Sequence, residues 1–259
     1  MSTMMGRRGV VWKTPTVTAI GLKNFACAMM LLQSIGIAVI QNGIIHVEQY
    51  TQESLWNTLG ENGTLMTLTG VSQVLQLLGG LSVPIFAFLL VEGFRNTSDY
   101  KKYLLTMAAF AVVSEIPYDL AMSVKWIDFT GQNGLFTMVI CLLMLYFLDM
   151  LKDKPGVSIK VLKALIVVCA AAWAMVLRTA YGGGMVALTA VFYLLYEKNV
   201  AKTVLGVIIS LLYVTAPLAF YGIWCYNGQR KDKVSKYVYY AFYPLHLLVL
   251  GLIVKIFMA

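Results

Sequence analysis

Long apolar runs separated by short polar turns dominate the chain. Each run approaches the roughly 20 apolar residues that a helix needs to cross a bilayer. Because the runs are continuous and do not alternate with polar positions, they predict helices and not a β-barrel. The predicted spans cover residues 22–42, 72–94, 103–122, 133–150, 160–178, 183–197, 203–224 and 237–257. We therefore expect an all-α, polytopic membrane helix bundle of about eight transmembrane helices, forming one integral membrane domain over residues 1–259.

The polar connections between the runs give an orientation. Residues 1–18 form a basic flank and residues 43–71 form the longest connection, which has acidic residues but no Lys or Arg. By the positive-inside rule we expect the flank in the cytoplasm and 43–71 outside, with its later part as a helix at the membrane surface. The first run is longer than a signal peptide core and is predicted to be retained. We therefore expect a multi-pass protein of the cell membrane with a cytoplasmic N-terminus.

One connection does not fit this orientation. With the N-terminus inside, roughly 14 of the 20 Lys and Arg fall in the cytoplasm. The loop Gln229–Lys233, followed closely by Lys236, is strongly basic but is predicted to lie outside. Either one apolar segment is re-entrant, or the loop has a function that needs positive charge, and the sequence leaves both open.

Composition agrees with a membrane protein. Hydrophobic residues make up 59% of the chain and charged residues 12%, with a net charge of +8. Soluble domains carry about 25% charged residues. The basic residues sit between the apolar runs, so orientation explains the charge and no nucleic-acid partner is expected. The four cysteines have no partner at motif spacing and are predicted to be small buried hydrophobes.

Glu92 and Arg95 are three residues apart at the end of a very apolar run. They can meet on one face of a helix. Ionised groups within a membrane cost about 3 kcal/mol each on insertion scales and need partners or a water-filled cavity. The pair is either a helix-end ion pair at the interface or one wall of a substrate-binding site that faces the cytoplasm.

Glu115 and Asp119 share a face of the third predicted span, because they are four residues apart. Pro117 lies between them and predicts a kink. Gln132 and Asn133 open the next span at the same level. These four side chains predict a polar cavity near the outer surface, and the alternative is an acidic rim at the interface. Helical rise places Glu115 and Glu92 toward opposite ends of adjacent helices, which predicts two separate polar vestibules.

His246 lies about nine residues into the last span, near the middle of the membrane. An ionisable group there is a functional candidate by default. The alternative is a histidine bonded to a backbone carbonyl in the bundle core. His46 lies in the outer connection and is predicted to be solvated. Two histidines this far apart predict no metal site.

Several of these stretches together resemble the TraX family, from about Leu22 to the end of the chain. The matching motifs follow one another in order along the sequence. They are Pro84–Phe94, Tyr103-Leu104, Ser114–Leu120, Gln132-Asn133, Phe136-Thr137, Tyr181-Gly182 and Tyr239–Leu247.

This resemblance implies an activity. The family takes its name from a conjugative-pilus protein that acetylates the pilin N-terminus, and it is placed among membrane acyltransferases that use cytoplasmic acyl-CoA. The chain would then move a small acyl group, such as acetyl, from acyl-CoA to an amine or hydroxyl of a peptide or small-molecule acceptor at the lipid membrane. The expected cofactor is acetyl-CoA or another acyl-CoA, with no metal.

The chain departs from the family pattern in its first helix. The family has an Asp-His pair before Ile-Gly, and this chain has Gln33-Ser34 before Ile35-Gly36. The family's acid before the Tyr-Gly turn is replaced by Ala180. Three functions stay open: an acyltransferase in which His246 supplies the intramembrane imidazole, an impaired relative that binds a partner, lipid or peptide, and a transporter or export factor.

The resemblance suggests roles for the candidate residues under the acyltransferase hypothesis. His246 is predicted to be the general base, and Glu115 and Asp119 to orient the acceptor amine. Predicted substrate-binding residues, from both helix ends and from the turns, are Glu92, Arg95, Gln132, Asn133, Gln33, Ser34 and Tyr181. Arg95 with Lys101 or Lys102 is predicted to attract the phosphates of CoA.

Overall fold

The computed structural model describes residues 16–229 and 235–258, and their regular structure is helical. The predicted flank 1–18 therefore lies largely outside the described residues. The helices are α1 Ala19–Ser34, α2 Gln52–Glu61, α3 Gly63–Gly80, α4 Ser82–Arg95, α5 Tyr100–Val113, α6 Glu115–Ser123, α7 Gly134–Asp149, α8 Val157–Val176, α9 Gly182–Leu194, α10 Asn199–Ser210, α11 Ala219–Trp224 and α12 Lys236–Phe257. A π-helix over Ile35–Ile45 continues α1, and short 3₁₀ turns follow at Val47–Gln49, Leu211–Tyr213 and Ala216–Leu218.

The all-α membrane architecture is confirmed, but the count of about eight spans is not. Within the described residues, four helical segments are long and apolar enough to cross a membrane: Ala19–Ile45, Gly63–Arg95, Val157–Val176 and Tyr237–Phe257. A fifth is gained if the bent pair α5–α6 counts as one span. Helices α7 and α9 and the segment Asn199–Tyr213 are apolar but shorter. Several apolar helices thus fit a multi-pass membrane protein.

The connection 43–71 is largely helical, and a helix was predicted for its later part. It contains α2 and the first turns of α3, which starts nine residues before the predicted span 72–94. Thr51 caps α2 by accepting from the Ser54 backbone N–H at 3.2 Å, and Asn62 caps α3 in the same way. α3 packs antiparallel to α1, since a Cβ at Gly79 would lie 2.4 Å from the Cβ of Gln33.

The kink predicted at Pro117 is present. α5 ends at Val113 and α6 begins at Glu115, and their axes differ by 41°. Proline has no N–H, and its ring clashes with the carbonyl four residues earlier, which here belongs to Val113. The break leaves nearby carbonyls for side chains to satisfy. Asn133 of the next helix donates to the Ala111 carbonyl at 2.7 Å.

Helices α1 and α12 run parallel to each other. Tyr239 Oη donates to Asn24 Oδ1 at 2.9 Å near their first turns, and Gly43 packs against Val254 near their ends. Both helices therefore begin at the same end of the bundle. Lysine and arginine side chains also gather there, around two cavities that share Thr97. We call this the basic end.

The predicted span 203–224 is wrong. α10 leaves the basic end, and the chain turns at Val214, whose φ is 56°. It then returns through α11 until Trp224 Nε1 donates to Thr203 Oγ1 at 2.9 Å. The segment is a re-entrant hairpin, and it breaks because Pro217 and the left-handed Val214 both interrupt a helix.

This hairpin settles which end of the bundle carries the basic loop. Val17 N–H donates to the Cys225 carbonyl at 2.7 Å and Ala19 N–H to the Gln229 carbonyl at 3.2 Å. Residues 230–234 lie outside the described residues, but both flanks of the loop are at the basic end. The position of these flanks agrees with the re-entrant alternative, since both lie at the same end as the start of α1.

Candidate functional site

A cavity of about 660 Å³ runs from the basic end into the bundle between α1, α4, α5 and α12. Lys23 and Lys102 lie at its mouth together with the α4–α5 turn. Met30, Tyr181 and Tyr243 lie at its inner end. The cavity thus leads from a mouth with two lysines to a buried inner wall formed by Met30, Tyr181 and Tyr243.

The inner wall is held by specific contacts. Tyr181 Oη donates to Met30 Sδ at 3.5 Å. Tyr243 Oη accepts from the Gly134 backbone N–H at 3.1 Å, which leaves its hydroxyl hydrogen to donate elsewhere. A Cβ at Gly134 would lie 2.4 Å from the Tyr181 ring, so only glycine allows this approach.

Ser34 and His246 form a buried pair directly behind this wall. Ser34 Oγ lies 3.2 Å from His246 Nε2, and His246 Nδ1 lies 2.8 Å from the Phe242 carbonyl. The His246 ring packs edge-on to Tyr243, with centroids 5.8 Å apart. The structure therefore brings together two predicted site residues that are 212 positions apart in the sequence.

Gln33, the neighbour of Ser34, faces a different helix. Its side chain lies against Gly79 of α3, where a Cβ would meet Gln33 Oε1 at 2.5 Å. Successive residues of a helix point about 100° apart, so Gln33 and Ser34 cannot face the same partner. Gln33 therefore lies against α3, and it is not among the residues that line the cavity.

Glu115 and Asn133 form a second polar group beside Tyr243. The Asn133 side-chain amide donates to Glu115 Oε2, and the Asn133 backbone N–H reaches the same oxygen at 3.3 Å. Asn133 Oδ1 caps α7 by accepting from the Leu135 N–H at 2.9 Å. Glu115 Oε1 is buried without a hydrogen-bond partner among the described residues. One carboxyl oxygen is therefore fixed and the other is available.

Asp119 and Gln132 organise the α6–α7 connection. Asp119 Oδ2 accepts from the Asp128 backbone N–H at 2.8 Å. Backbone bonds join Gln132 to the turn before α9: it donates to the Arg178 carbonyl at 3.2 Å and accepts from the Ala180 N–H at 2.9 Å. The carboxyl of Asp128 accepts from the Thr130 N–H, and this bond lowers its pKa below the ordinary aspartate value. Asp119 thus fixes a loop and does not pair with Glu115.

Glu92 and Arg95 lie at the basic end and interact through Tyr196, which follows α9. Tyr196 Oη donates to Glu92 Oε1 at 2.7 Å, and the Arg95 guanidinium stacks 3.7 Å from the Tyr196 ring centre. Burial, and then donation to Glu92, raise the pKa of Tyr196 to about 12. The ion pair of Arg95 is with Glu197, at 3.7 Å. The direct Glu92–Arg95 pair considered from the sequence is therefore replaced by a tyrosine bridge.

Arg95 and Lys102, both predicted to attract CoA phosphates, line different cavities. Arg95 lies with Lys152 and Lys163 around a second cavity of about 670 Å³, while Lys102 lines the first. The two cavities meet at Thr97. A long anionic ligand could therefore contact both groups of cations across this residue.

The two-vestibule interpretation changes with these contacts. Glu92 does lie apart from Glu115, with a partner of its own. However, Glu115 is hydrogen-bonded to Asn133, the next residue Gly134 donates to Tyr243, and the Tyr243 ring packs against His246. We call Glu115, Asn133, Tyr243, Ser34 and His246 the polar layer.

Sequence reasoning missed Tyr243, Tyr196 and Met30 as candidates. Tyr243 precedes His246 by three residues and so shares its helix face, a spacing that could have indicated it. The sequence carries no comparable signal for Met30 or Tyr196, whose partners lie far along the chain.

Comparison with known proteins gives one match. A family model described as TraX protein matches residues 20–254. No curated protein and no solved structure matches the chain.

Proposed function

This chain belongs to the TraX protein family, and from that membership we propose that it is a membrane-embedded acyltransferase. It transfers a small acyl group, such as acetyl, from acyl-CoA to an amine or hydroxyl of a peptide or small-molecule acceptor. The single observation that supports this most directly is the cavity that leads from Lys23 and Lys102 to the polar layer.

The cavity suits a donor with an anionic head and a narrow arm. Lys23 and Lys102 offer mobile ammonium groups to the phosphates of CoA, while Leu89, Met107 and Met138 line an apolar passage for the arm. A volume of about 660 Å³ lies within the range of known ligand pockets, about 300–1,000 Å³. The acyl carbonyl would reach Tyr243, whose hydroxyl can donate to it.

The basic end faces the cytoplasm in this proposal. The N-terminal start of α1, the α4–α5 turn and both flanks of the 229–236 loop all lie there, so the connection that conflicted with the positive-inside rule no longer does so. Cytoplasmic acyl-CoA then enters directly at the cavity mouth. The acceptor approaches from the opposite end, where α6 and α7 meet.

The polar layer supplies the chemical groups. His246 acts as general base, and Glu115 Oε1, which is buried and has no hydrogen-bond partner in the described part of the chain, orients the acceptor amine. Asn133 holds Glu115 in place, and Asp119 with Gln132 fixes the loop above it. Tyr181 closes the donor cavity. Glu92 and Arg95 shape the cytoplasmic surface through Tyr196.

Acetyl-CoA turnover by purified protein in lipid nanodiscs tests the proposal. We expect release of CoA with acetyl transfer to alanine amide, and a Lys23→Ala/Lys102→Ala variant with a KM for acetyl-CoA raised about tenfold, equivalent to about 1.4 kcal/mol. The control Lys154→Ala/Lys160→Ala removes the same charge from the same end without touching the cavity. The proposal fails if the wild-type protein neither binds nor consumes acetyl-CoA, or if both double variants change KM equally.

One observation favours a second candidate function. Met30 and Tyr243 stand between the cavity and His246, and the family's first-helix Asp-His pair is absent. A protein that binds acyl-CoA or a lipid without transferring the acyl group would show both features. Saturable acetyl-CoA binding without turnover, in the same nanodisc experiment, would support this candidate.

A further inference from the structure

We propose that Ser34 is the acyl carrier of this enzyme, activated by His246, so that transfer passes through an acyl ester on Ser34. This inference rests on the proposed acyltransferase function and adds a covalent intermediate to it. It gives Ser34 a chemical role in place of the binding role expected from the sequence.

The Ser34 hydroxyl lies within hydrogen-bond distance of the His246 imidazole. The Phe242 carbonyl can only accept, so His246 Nδ1 at 2.8 Å carries a hydrogen. The neutral ring then has its lone pair on Nε2, and Ser34 Oγ at 3.2 Å is its hydrogen-bond partner in the described structure. Ser34 Oγ also donates to the Met30 carbonyl at 3.0 Å, so its one hydrogen is shared between that carbonyl and His246 Nε2.

A serine with an adjacent base that is itself oriented by a third group is the arrangement of an activated nucleophile. The third group here is the Phe242 carbonyl, one turn earlier on α12. Both residues are buried, with 5% of Ser34 and 8% of His246 exposed. Bulk water therefore does not compete with Ser34 for the imidazole lone pair.

The position of Ser34 connects this pair to the donor cavity. Cys27 and Met30 line the cavity, and Ser34 follows them at helical spacing on the same face of α1. On α1, Met30 is therefore the last cavity-lining residue before Ser34. Methionine is unbranched and adapts its conformation easily, so a bound acyl arm can displace it.

Two balanced steps describe the reaction. In the first, Ser34 Oγ attacks the thioester carbonyl while His246 Nε2 takes the hydroxyl proton. The C–S bond breaks, and the imidazolium returns that proton to the leaving thiolate. In the second, the acceptor amine or hydroxyl attacks the carbonyl of the Ser34 ester, the bond between the acyl carbon and Ser34 Oγ breaks, and the acceptor's proton passes through His246 to Ser34 Oγ. No oxidant, metal or further reactant is needed.

Exchange of isotopically labelled CoA into acetyl-CoA tests this inference without any acceptor. A covalent intermediate permits exchange, because the Ser34 ester can be attacked by the labelled thiol, whereas direct transfer does not. We expect exchange by the wild-type protein in nanodiscs, and one acetyl group on the Ser34 peptide by mass spectrometry. Ser34→Ala and His246→Ala should each lower the exchange rate at least a hundred-fold, given that general base catalysis contributes about 10²–10⁴-fold.

Two further variants distinguish loss of the Ser34 nucleophile from loss of the folded structure. Ser210→Ala removes another buried serine that donates to a backbone carbonyl, at 2.8 Å, and should leave exchange unchanged. Ser34→Cys keeps a nucleophile and should carry the acetyl group as a thioester cleaved by neutral hydroxylamine.

The outcomes separate the two proposals. Acetyl transfer to alanine amide without exchange, or an adduct on Cys27, or a Ser34→Ala variant that exchanges at nearly the wild-type rate, overturns the Ser34 inference and leaves the acyltransferase in place. A wild-type protein that neither binds nor consumes acetyl-CoA overturns the acyltransferase and the inference with it.

Discussion

Asn133 is the residue whose loss should damage the polar layer most, because one side chain serves three partners. It is fully buried, caps α7, and donates both to the Ala111 carbonyl and to Glu115. Asn133→Ala removes all of these bonds at once. The Pro117 kink makes the loss severe, since the Ala111 carbonyl lies beside the break between α5 and α6.

The magnitude follows from these contacts. Loss of the cap costs about 1 kcal/mol. Loss of the donor to the buried Ala111 carbonyl costs about 1–3 kcal/mol. Glu115 keeps the Asn133 backbone N–H at 3.3 Å and loses one of two donors, which costs about 0.5–1.5 kcal/mol. The sum is about 2.5–5.5 kcal/mol, a large fraction of the 5–15 kcal/mol by which folded domains are stabilised. Asn133→Asp keeps the capping oxygen but loses both donors, and so should be similarly damaging.

Denaturant unfolding in mild detergent, followed by far-UV circular dichroism, measures this cost. Asn62→Ala is the matched control, because Asn62 caps α3 at 3.1 Å but is exposed and makes no buried bond of this kind. It should cost about 1 kcal/mol. A double variant with Glu115→Ala should recover part of the Asn133→Ala loss, since the two residues share a bond. Equal losses for Asn133→Ala and Asn62→Ala would refute the reasoning.

Two further predictions concern packing and topology. Gly251→Ala should destabilise the bundle by about 1–3 kcal/mol, because the new Cβ would lie 3.0 Å from backbone atoms of α6. The control is Gly70→Ala, whose new Cβ would lie in open space. In the same unfolding assay it should be neutral or slightly stabilising. A single cysteine at Gly228, in a cysteine-free background, should be modified by a membrane-impermeant thiol reagent from the same side as one in the α4–α5 turn. Modification from the side of the α6–α7 connection would contradict the re-entrant hairpin.

Much of the fold could be predicted from local patterns. Seven of the predicted spans, all except 203–224, correspond to helices whose bounds differ by a few residues, apart from the early start of α3. The kink at Pro117 was also predictable, since a missing N–H acts within its own helix. The re-entrant course of 203–224 was not, because its apolar composition suits a straight span and a hairpin equally well.

The candidate site, like the fold, could be predicted from the sequence only in part. Glu92, Glu115 and His246 stand out in the sequence because ionisable residues are rare in apolar runs. Other residues of the site do not stand out. Tyr196 and Tyr243 are ordinary residues of apolar segments until the fold places the Glu92 carboxylate or the Gly134 backbone N–H against them.

The sequence by itself determined that this is an all-helical membrane protein of the TraX family, with acids and a histidine placed where lipid would not tolerate them unpaired. Only the tertiary structure decided that α1 and α12 run parallel, which puts both described flanks of the basic loop at the same end as the start of α1, and Ser34 against His246. The reason is physical. Apolar patterns and prolines determine helix formation within one or two turns and can be read along the chain. Helix pairing depends on close contacts between distant residues, such as Ser34 and His246, which are 212 positions apart.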